Sequence, residues 1–210
     1  MNKAIGKLHI LTDTVLQSRF SHEQLTELVI AGGADTVQFR QKSGSSREMI
    51  ETALKMRAIC EDKEALFIVN DRVDIALASH AHGVHLGQND FPIPMARDIL
   101  GAGCVIGGSA ATLKEAHKCL SEGADYVGFG PVYPTGSKAD AGPVSGIGTL
   151  RQVVKEIPLP IIAIGGIDEG NVREVMETGA AGVAVISAVC CQEDPRGATR
   201  RLNEVMKDQK

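Results

Sequence analysis

Polar residues alternate with apolar ones in one short segment, which places two cations and an amide on the same side of a strand. Gln38, Arg40 and Lys42 occupy every second position, and Val37 and Phe39 lie between them. Successive strand residues point to opposite faces, so helices that cover Val37 and Phe39 leave the polar set on the other face. Burying such cations without an anionic partner is costly. The pattern predicts an anion site. The alternative is internal pairing with carboxylates of neighbouring strands, which explains one cation better than two.

Two aspartates follow two consecutive strand-like segments. Asp71 comes directly after Leu66–Asn70, and Asp90 comes shortly after Gly83–Leu86. If these segments are neighbouring parallel strands, their carboxyl ends bring the two carboxylates together. Carboxylate oxygens, completed by water and phosphate oxygens, are the usual ligands of Mg²⁺ in proteins. Asp71 is also well placed to cap the next helix, but a cap does not explain Asp90. The pair therefore predicts a Mg²⁺ site.

Small and hydroxyl-bearing residues occur at two further strand ends. The segment after Tyr126–Gly130 is the longest loop, and its 135–138 stretch reads Thr-Gly-Ser-Lys. Loops of this composition close over phosphorylated ligands. Gly165 and Gly166 follow the seventh strand-like segment, where glycine lets a backbone approach a phosphate closely. A plain tight turn explains those two glycines equally well.

The histidines offer a competing metal hypothesis. His80, His82 and His85 form an H-x-H-x-x-H string, a spacing that suggests metal binding. His80 and His82 fall at a helix-to-strand junction, at the end opposite to the loops above, so we expect them to be solvated rather than ligating. His85 falls inside a strand, where it is either buried or supports the site. The sequence indicates no Ser–His or Cys–His pair that would supply a nucleophile.

These residues need a frame, and the chain alternates short β-branched segments with longer helical ones. The predicted strands are Leu8–Thr12, Thr36–Arg40, Leu66–Asn70, Gly83–Leu86, Cys104–Gly107, Tyr126–Gly130, Pro160–Gly165 and Gly182–Ser187. The predicted helices span 21–32, 46–63, 72–79, 93–100, 112–122, 146–156, 168–178 and 195–208. Eight such units predict an α/β fold in which residues 1–210 form a single (β/α)8 TIM barrel. An open doubly wound sheet is the alternative.

Composition limits the classes of partner. The chain has 22 Lys+Arg against 26 Asp+Glu, a net charge of −4, which excludes a general binder of nucleic acid or anionic membranes. No apolar run reaches the ~18 residues of a membrane span. The 5 cysteines have neither disulfide-framework nor zinc-site spacing, as expected for a reduced, cytoplasmic protein. We expect small-molecule partners, and the sequence is also compatible with a homo-oligomer.

Taken together, the motifs resemble the thiamin phosphate synthase family from Leu8 to about Arg200. The matching pieces are Gln38-x-Arg40-x-Lys42, Asn70-Asp71-Arg72, Gly83-Val84-His85-Leu86-Gly87-Gln88-x-Asp90, Ser109, 125–131, 134–138, 163–167 and 185–187. Each piece is weak alone, but their order and spacing are specific. The resemblance implies a (β/α)8 transferase that joins 4-amino-5-hydroxymethyl-2-methylpyrimidine diphosphate to 4-methyl-5-(2-phosphoethyl)thiazole, or its carboxylated tautomer. The products are thiamin phosphate and pyrophosphate.

The resemblance also implies a role for each matching residue. Contacts to the pyrimidine diphosphate are implied for Gln38, Arg40, Lys42, Asn70, Ser109 and Lys138. Mg²⁺ would be held by Asp71 and Asp90. The thiazole phosphate would be held by Thr135, Gly136, Ser137, Gly166, Ile186 and Ser187. Arg40, Lys42 and Lys138 are the expected catalytic groups, because they supply positive charge where the leaving pyrophosphate gains negative charge.

The chain departs from the family pattern at Ala111, where many members carry a histidine. A related thiazole tautomerase branch uses a histidine near this point for proton transfer and lacks the full Mg²⁺ set. Ala111 together with Asp71 and Asp90 therefore favours the synthase. The alternatives are the tautomerase and a catalytically silent barrel that binds phosphorylated ligands. Ser137 stands where a second threonine is usual and keeps the hydroxyl group.

Overall fold

A closed barrel of eight parallel strands forms the centre of the protein in the computed structural model, which describes residues 5–137 and 142–207. The strands are β1 (Leu8–Thr12), β2 (Thr36–Phe39), β3 (Leu66–Asn70), β4 (Gly83–Leu86), β5 (Val105–Ala110), β6 (Tyr126–Phe129), β7 (Ile161–Ile164) and β8 (Gly182–Val185). Neighbouring strands pair in chain order, and β8 closes against β1 with Val183 opposite Leu8. The predicted (β/α)8 barrel is confirmed, and closure excludes the open doubly wound sheet.

Helices follow the strands and cover the outside of the barrel. They are α1 (His22–Ala31), α2 (Ser46–Asp62), α3 (Val73–Ala78), α4 (Ile93–Leu100), α5 (Leu113–Ser121), α6 (Gly146–Glu156), α7 (Val172–Met176), α8 (Ser187–Cys190) and α9 (Pro195–Lys207). Three helices begin with a capping box, in which a hydroxyl and the side chain three residues later each accept the other's backbone N–H. These boxes are Ser21–Gln24, Ser45–Glu48 and Thr112–Glu115. None of the described helices is long and apolar enough to span a membrane.

The last strand and the short helix after it differ from the prediction. The strand expected over Gly182–Ser187 ends at Val185, and Ser187 begins helix α8, which the sequence pattern did not indicate. Two backbone N–H groups, of Val189 and Cys190, donate to the Ile186 carbonyl and turn the chain there. A single turn of helix is too short to give a periodic apolar pattern. The chain therefore leaves the barrel wall just before two predicted site residues.

The outer and inner faces of the barrel strands contribute to two separate apolar clusters. Val37 and Phe39 pack with the helices in the outer cluster, whereas Gln38 faces inward, as the alternation predicts. The inner cluster fills the barrel with Leu11, Leu66, Ile68, Val105, Tyr126, Ile162, Ala184 and Ile186. This packing closes the barrel below its carboxyl-terminal mouth, so the polar residues at the strand ends rest on a rigid apolar floor.

Candidate active site

One large cavity of about 1140 Å³ opens at the carboxyl ends of the strands. It is lined by every predicted site residue that the structure describes: Gln38, Arg40, Lys42, Asn70, Asp71, Asp90, Ser109, Thr135, Gly136, Ser137, Gly166, Ile186 and Ser187. Lys138 lies outside the described residues. These residues come from the carboxyl ends of seven strands, β2 to β8, so closure of the barrel brings them together. The roles assigned to them remain predictions.

Both strand-β2 cations have a carboxylate partner. Arg40 Nη1 donates to Asp13 Oδ2 at the end of β1, and Lys42 Nζ donates to Asp71 Oδ2 at 2.5 Å. The expectation that internal pairing would satisfy only one cation is therefore wrong. The two pairs differ in setting: the Arg40 and Asp13 side chains are 12% and 2% exposed, whereas Lys42 is 45% exposed. Lys42 is thus free to exchange its partner with a ligand at little desolvation cost.

The two predicted metal-binding carboxylates are neighbours at the rim. Asp71 adopts a left-handed backbone conformation with φ of 63°, and its N–H donates to the His85 carbonyl on the adjacent strand. It does not cap α3, whose first turn has no side-chain cap. Partial desolvation and the nearby Asp71 carboxyl raise the pKa of Asp90, against the Gly87 N–H that bonds it at 2.7 Å. A non-glycine residue held at positive φ is a form of strain that often marks functional sites.

The residues present suit a divalent cation with hard oxygen ligands. Asp71 and Asp90 supply adjacent carboxylates, and the Asp71 carboxyl contributes to the raised pKa of Asp90, a repulsion that a cation would relieve. Among the described residues no group of three or more His, Cys, Asp and Glu side chains could hold a metal. Two carboxylates with the remaining positions left to water and phosphate oxygens are typical of Mg²⁺ sites that also bind a phosphorylated substrate.

Gln38 carries an unpaired acceptor at the base of the cavity. The residue is only 4% exposed, and its Oε1 has no hydrogen-bond partner among the described residues. Leaving such an atom buried costs free energy. A ligand that donates a hydrogen bond to this atom would remove that cost.

A hydrogen-bonded chain of three side chains crosses the cavity floor. His85 Nε2 lies 2.8 Å from Ser109 Oγ, and His85 Nδ1 lies 2.9 Å from Tyr126 Oη. Neighbouring strands thus bring together a serine and a histidine that are distant in sequence, a contact that the sequence pattern did not indicate. The arrangement lacks the carboxylate of a hydrolase triad, since a phenol occupies that place.

Two glycines make room for these three hydrogen-bonded side chains. They are the sequence signal that could have indicated the contact. A Cβ at Gly107 would lie 2.2 Å from the Tyr126 ring, and one at Gly128 would lie 2.7 Å from the His85 ring. Glycine in the interior of a strand often marks a close approach of another group. His9, buried below the same tyrosine in edge-to-face contact, was also not anticipated.

The loops after β6, β7 and β8 meet on the opposite side of the mouth. Ser137 Oγ donates to Ser187 Oγ at 2.9 Å. Gly165 and Gly166 have φ of 97° and 66°, and a Cβ on either would lie 2.6 Å or less from residues 131–134. The two glycines are therefore required by the packing of one loop on the other. Both still line the cavity.

The histidine string does not form a metal cluster. His80 is exposed, and His82 Nδ1 accepts the Phe67 N–H at 2.9 Å at the amino end of the barrel. His85 faces the opposite end, in the cavity. The expectation that His80 is solvated is confirmed, whereas His82 is partly buried and bonded to the backbone.

Comparison with known proteins identifies relatives along most of the chain. The family model for thiamine monophosphate synthase matches residues 8–189. The thiamine-phosphate synthase of Salinibacter ruber is 49% identical over 200 residues, covering 95% of this chain and 88% of the relative. That of Methanocella arvoryzae is 47% identical, covering 95% and 94%. The solved thiamine phosphate pyrophosphorylase from Pyrococcus furiosus superposes with a TM-score of 0.89 at 42% identity, covering 96% of each chain. The chain belongs to the thiamine monophosphate synthase family.

Proposed function

We propose that this chain transfers the pyrimidinylmethyl group of 4-amino-5-hydroxymethyl-2-methylpyrimidine diphosphate to the thiazole nitrogen of 4-methyl-5-(2-phosphoethyl)thiazole or its carboxylated tautomer. The products are thiamin phosphate and pyrophosphate. The observation that carries the proposal is the cluster at one rim of the cavity, where Arg40 and Lys42 lie beside the adjacent carboxylates of Asp71 and Asp90. A diphosphate substrate needs cationic side chains to bind its oxygens and carboxylates to hold the Mg²⁺ that accompanies it.

The pyrimidine ring lies over the cavity floor in this proposal. The unpaired Oε1 of Gln38 accepts a hydrogen bond from the 4-amino group, and Asn70 and Ser109 supply polar groups on the same side. Ser109 Oγ already bonds to His85 Nε2, which fixes the direction of its hydroxyl group. The amino group is the feature that stabilises positive charge on the adjacent methylene carbon, so its recognition serves both binding and chemistry.

The diphosphate lies at the rim beside β2 and β3. Arg40 and Lys42 contact its oxygens, and Lys138 is assigned the same function from its place in the family motif. Mg²⁺ held by Asp71 and Asp90 would neutralise charge on the leaving group. The Lys42–Asp71 pair keeps this rim close to neutral before binding, and Lys42 turns to the diphosphate when the substrate arrives.

The reaction proceeds by breaking the bond between the methylene carbon and the diphosphate oxygen before the new bond forms. The electron pair leaves with pyrophosphate, whose charge Arg40, Lys42 and Lys138 stabilise. The methylene cation is then captured by the thiazole nitrogen lone pair. The His85–Ser109 pair is not required as a nucleophile, and the protein contributes mainly by positioning both substrates.

The thiazole phosphate lies between the loops after β6, β7 and β8. Thr135, Gly136, Ser137 and Ser187 supply hydroxyl and backbone donors, and Gly166 and Ile186 complete the wall. The Ser137–Ser187 hydrogen bond at 2.9 Å holds the two loops at a fixed separation.

We further propose that the enzyme acts in the cytoplasm on small molecules alone. All five cysteines are described, and none of them forms a disulfide, which is the usual state of cysteines in a reducing compartment. The adjacent Cys190 and Cys191 likewise form no disulfide.

Metal dependence tests the proposed function. With both substrates and Mg²⁺, Asp71→Asn and Asp90→Asn are each expected to lower kcat by about 100-fold or more, the scale of lost charge stabilisation at a leaving group. Asp74→Asn is the matched control, since Asp74 pairs with Arg72 on α3 outside the cavity. Full turnover of either cavity variant, or of the wild type in EDTA, would show that the metal assignment is wrong.

A further inference from the structure

Asp13 directly follows strand β1 and is buried, yet it does not line the cavity. Its exposure is 2%, and it is absent from the wall to which its partner Arg40 belongs. A carboxylate is rarely buried to this extent unless it is paired. Asp13 therefore reaches any ligand only through Arg40.

Both carboxylate oxygens of Asp13 are engaged. Oδ1 accepts the backbone N–H groups of Val15 at 2.8 Å and Leu16 at 3.0 Å. Oδ2 accepts Arg40 Nη1. One oxygen thus anchors the aspartate to its own loop, and the other holds the guanidinium from behind, away from the cavity.

The loop that carries Asp13 is itself held in place. Gln17 Nε2 donates to the Asp13 carbonyl at 3.4 Å and to the Phe20 carbonyl at 2.8 Å. Arg19 Nη2 donates to the carbonyls of Cys191 and Gln192, both at 2.7 Å, which ties the loop to the segment after α8. The carboxylate therefore has little freedom to follow Arg40 if that side chain moves.

We infer that Asp13 is a positioning residue that fixes the Arg40 guanidinium for the diphosphate; this inference rests on the proposed function. A guanidinium has five N–H donors in a rigid fork. Fixing Nη1 on the Asp13 side determines which of the remaining donors face the cavity. An arginine whose direction is set in advance loses less conformational freedom when it binds a phosphate.

The test compares Asp13→Asn with wild type. The asparagine Oδ1 still accepts the Val15 and Leu16 N–H groups, but its amide nitrogen presents a donor to Arg40. We expect KM for the pyrimidine diphosphate to rise about 10-fold, at the low end of the 10–100-fold range for supporting residues. KM for the thiazole phosphate should change less than about twofold, which is within the usual error of comparing variants. Equal rises in both KM values would indicate a purely structural role and overturn the inference.

A double-mutant cycle identifies the route of the effect. In an Arg40→Ala background, Asp13→Asn should have no further effect on KM, because residues that act through one group are not additive. Additive effects would overturn the inference. Asp35→Asn is the matched control, because Asp35 Oδ2 accepts the backbone N–H groups of Lys7 and Leu8 at the other end of β1. It should leave both KM values unchanged.

Two further measurements test whether Asp13 positions Arg40. Asp13→Glu retains the charge but displaces the carboxylate, so it should raise the same KM to a smaller extent; unchanged KM in both variants would refute the inference. Calorimetric binding of inorganic pyrophosphate with Mg²⁺ separates the inference from the proposed function. If the wild type made no thiamin phosphate but Asp13→Asn weakened pyrophosphate binding only when Arg40 is present, the function would fail and the positioning role would stand.

Discussion

Replacing Gln38 with methionine should make the protein more stable and less active. Gln38 is 4% exposed, and its Oε1 lacks a partner among the described residues. In the barrel register it lies opposite Leu11 and Ile68, both members of the inner apolar cluster. A methionine side chain has similar length, no polar atom to desolvate and the flexibility to fill the same space.

The size of the effect follows from the unpaired atom. A buried acceptor without a partner costs about 1–3 kcal/mol, and part of that cost is relieved when the amide is replaced. We expect Gln38→Met to raise the free energy of unfolding by about 1 kcal/mol, which for a chain of this size corresponds to about 2–4 °C in Tm. The same change removes the acceptor for the substrate amino group, so kcat/KM should fall by about 10–100-fold, which is ~1.4–2.8 kcal/mol.

The assay is urea unfolding monitored by circular dichroism, together with steady-state kinetics of the same preparations. Gln88→Met is the matched control, because the Gln88 amide is satisfied: Nε2 donates to the Ser109 carbonyl at 2.7 Å, and Oε1 accepts from Lys118 at 3.2 Å. That variant should be less stable than wild type. If Gln38→Met destabilised the protein as much as Gln88→Met does, the reasoning from an unpaired acceptor would be refuted.

Two other predictions concern stability. Burial lowers the pKa of both His9 and His22 from 6.5 to about 4. Between pH 6.5 and pH 4 the unfolded chain therefore binds more protons than the folded one. The free energy of unfolding should be at its full value above about pH 6.5 and should fall as the pH drops towards 4. His9 alone should contribute about 2–3 kcal/mol of this loss. His22→Gln should make the midpoint of urea unfolding depend less on pH. If the midpoint of this variant changed with pH as steeply as that of the wild type, the burial argument would be contradicted. Gly107→Ala places a Cβ 2.2 Å from the Tyr126 ring and 2.5 Å from the His85 ring, so it should lower the free energy of unfolding by about 1–3 kcal/mol. Gly103→Ala, whose Cβ would have nothing within 4 Å, should have little effect. Equal Tm values for the two variants would show that the side chains around Gly107 have room to adjust.

The barrel could be predicted because its signal is local and repeated. Each strand carries at least one Val or Ile of its own, and capping residues such as Ser21 and Ser45 mark helix starts within a few positions. Helix α8 could not be predicted, since one turn has no period to detect. The cavity followed from the rule that parallel barrels place function at strand carboxyl ends.

The pairings in and behind the cavity wall could not be predicted, because they join residues far apart in the chain. His85 and Ser109 meet only through the register of β4 with β5, which sets His85 opposite Gly107. Asp13 and Arg40 meet through the pairing of β1 with β2. Asp71 is predicted as a site residue because it directly follows a strand, and Asp13 directly follows a strand in the same way. Alternation indicates which face a residue occupies, whereas its partner depends on closure of the whole barrel.

The most direct test of the central claim is the product of one incubation. Purified protein, both substrates at saturating concentration and Mg²⁺ are mixed, and thiamin phosphate and pyrophosphate are quantified by chromatography over time. We expect the two products to appear in equal amounts, at a rate that falls when Mg²⁺ is withheld. Release of phosphate without thiamin phosphate, or consumption of the thiazole phosphate without pyrophosphate, would contradict the assignment of this cavity to pyrimidinylmethyl transfer.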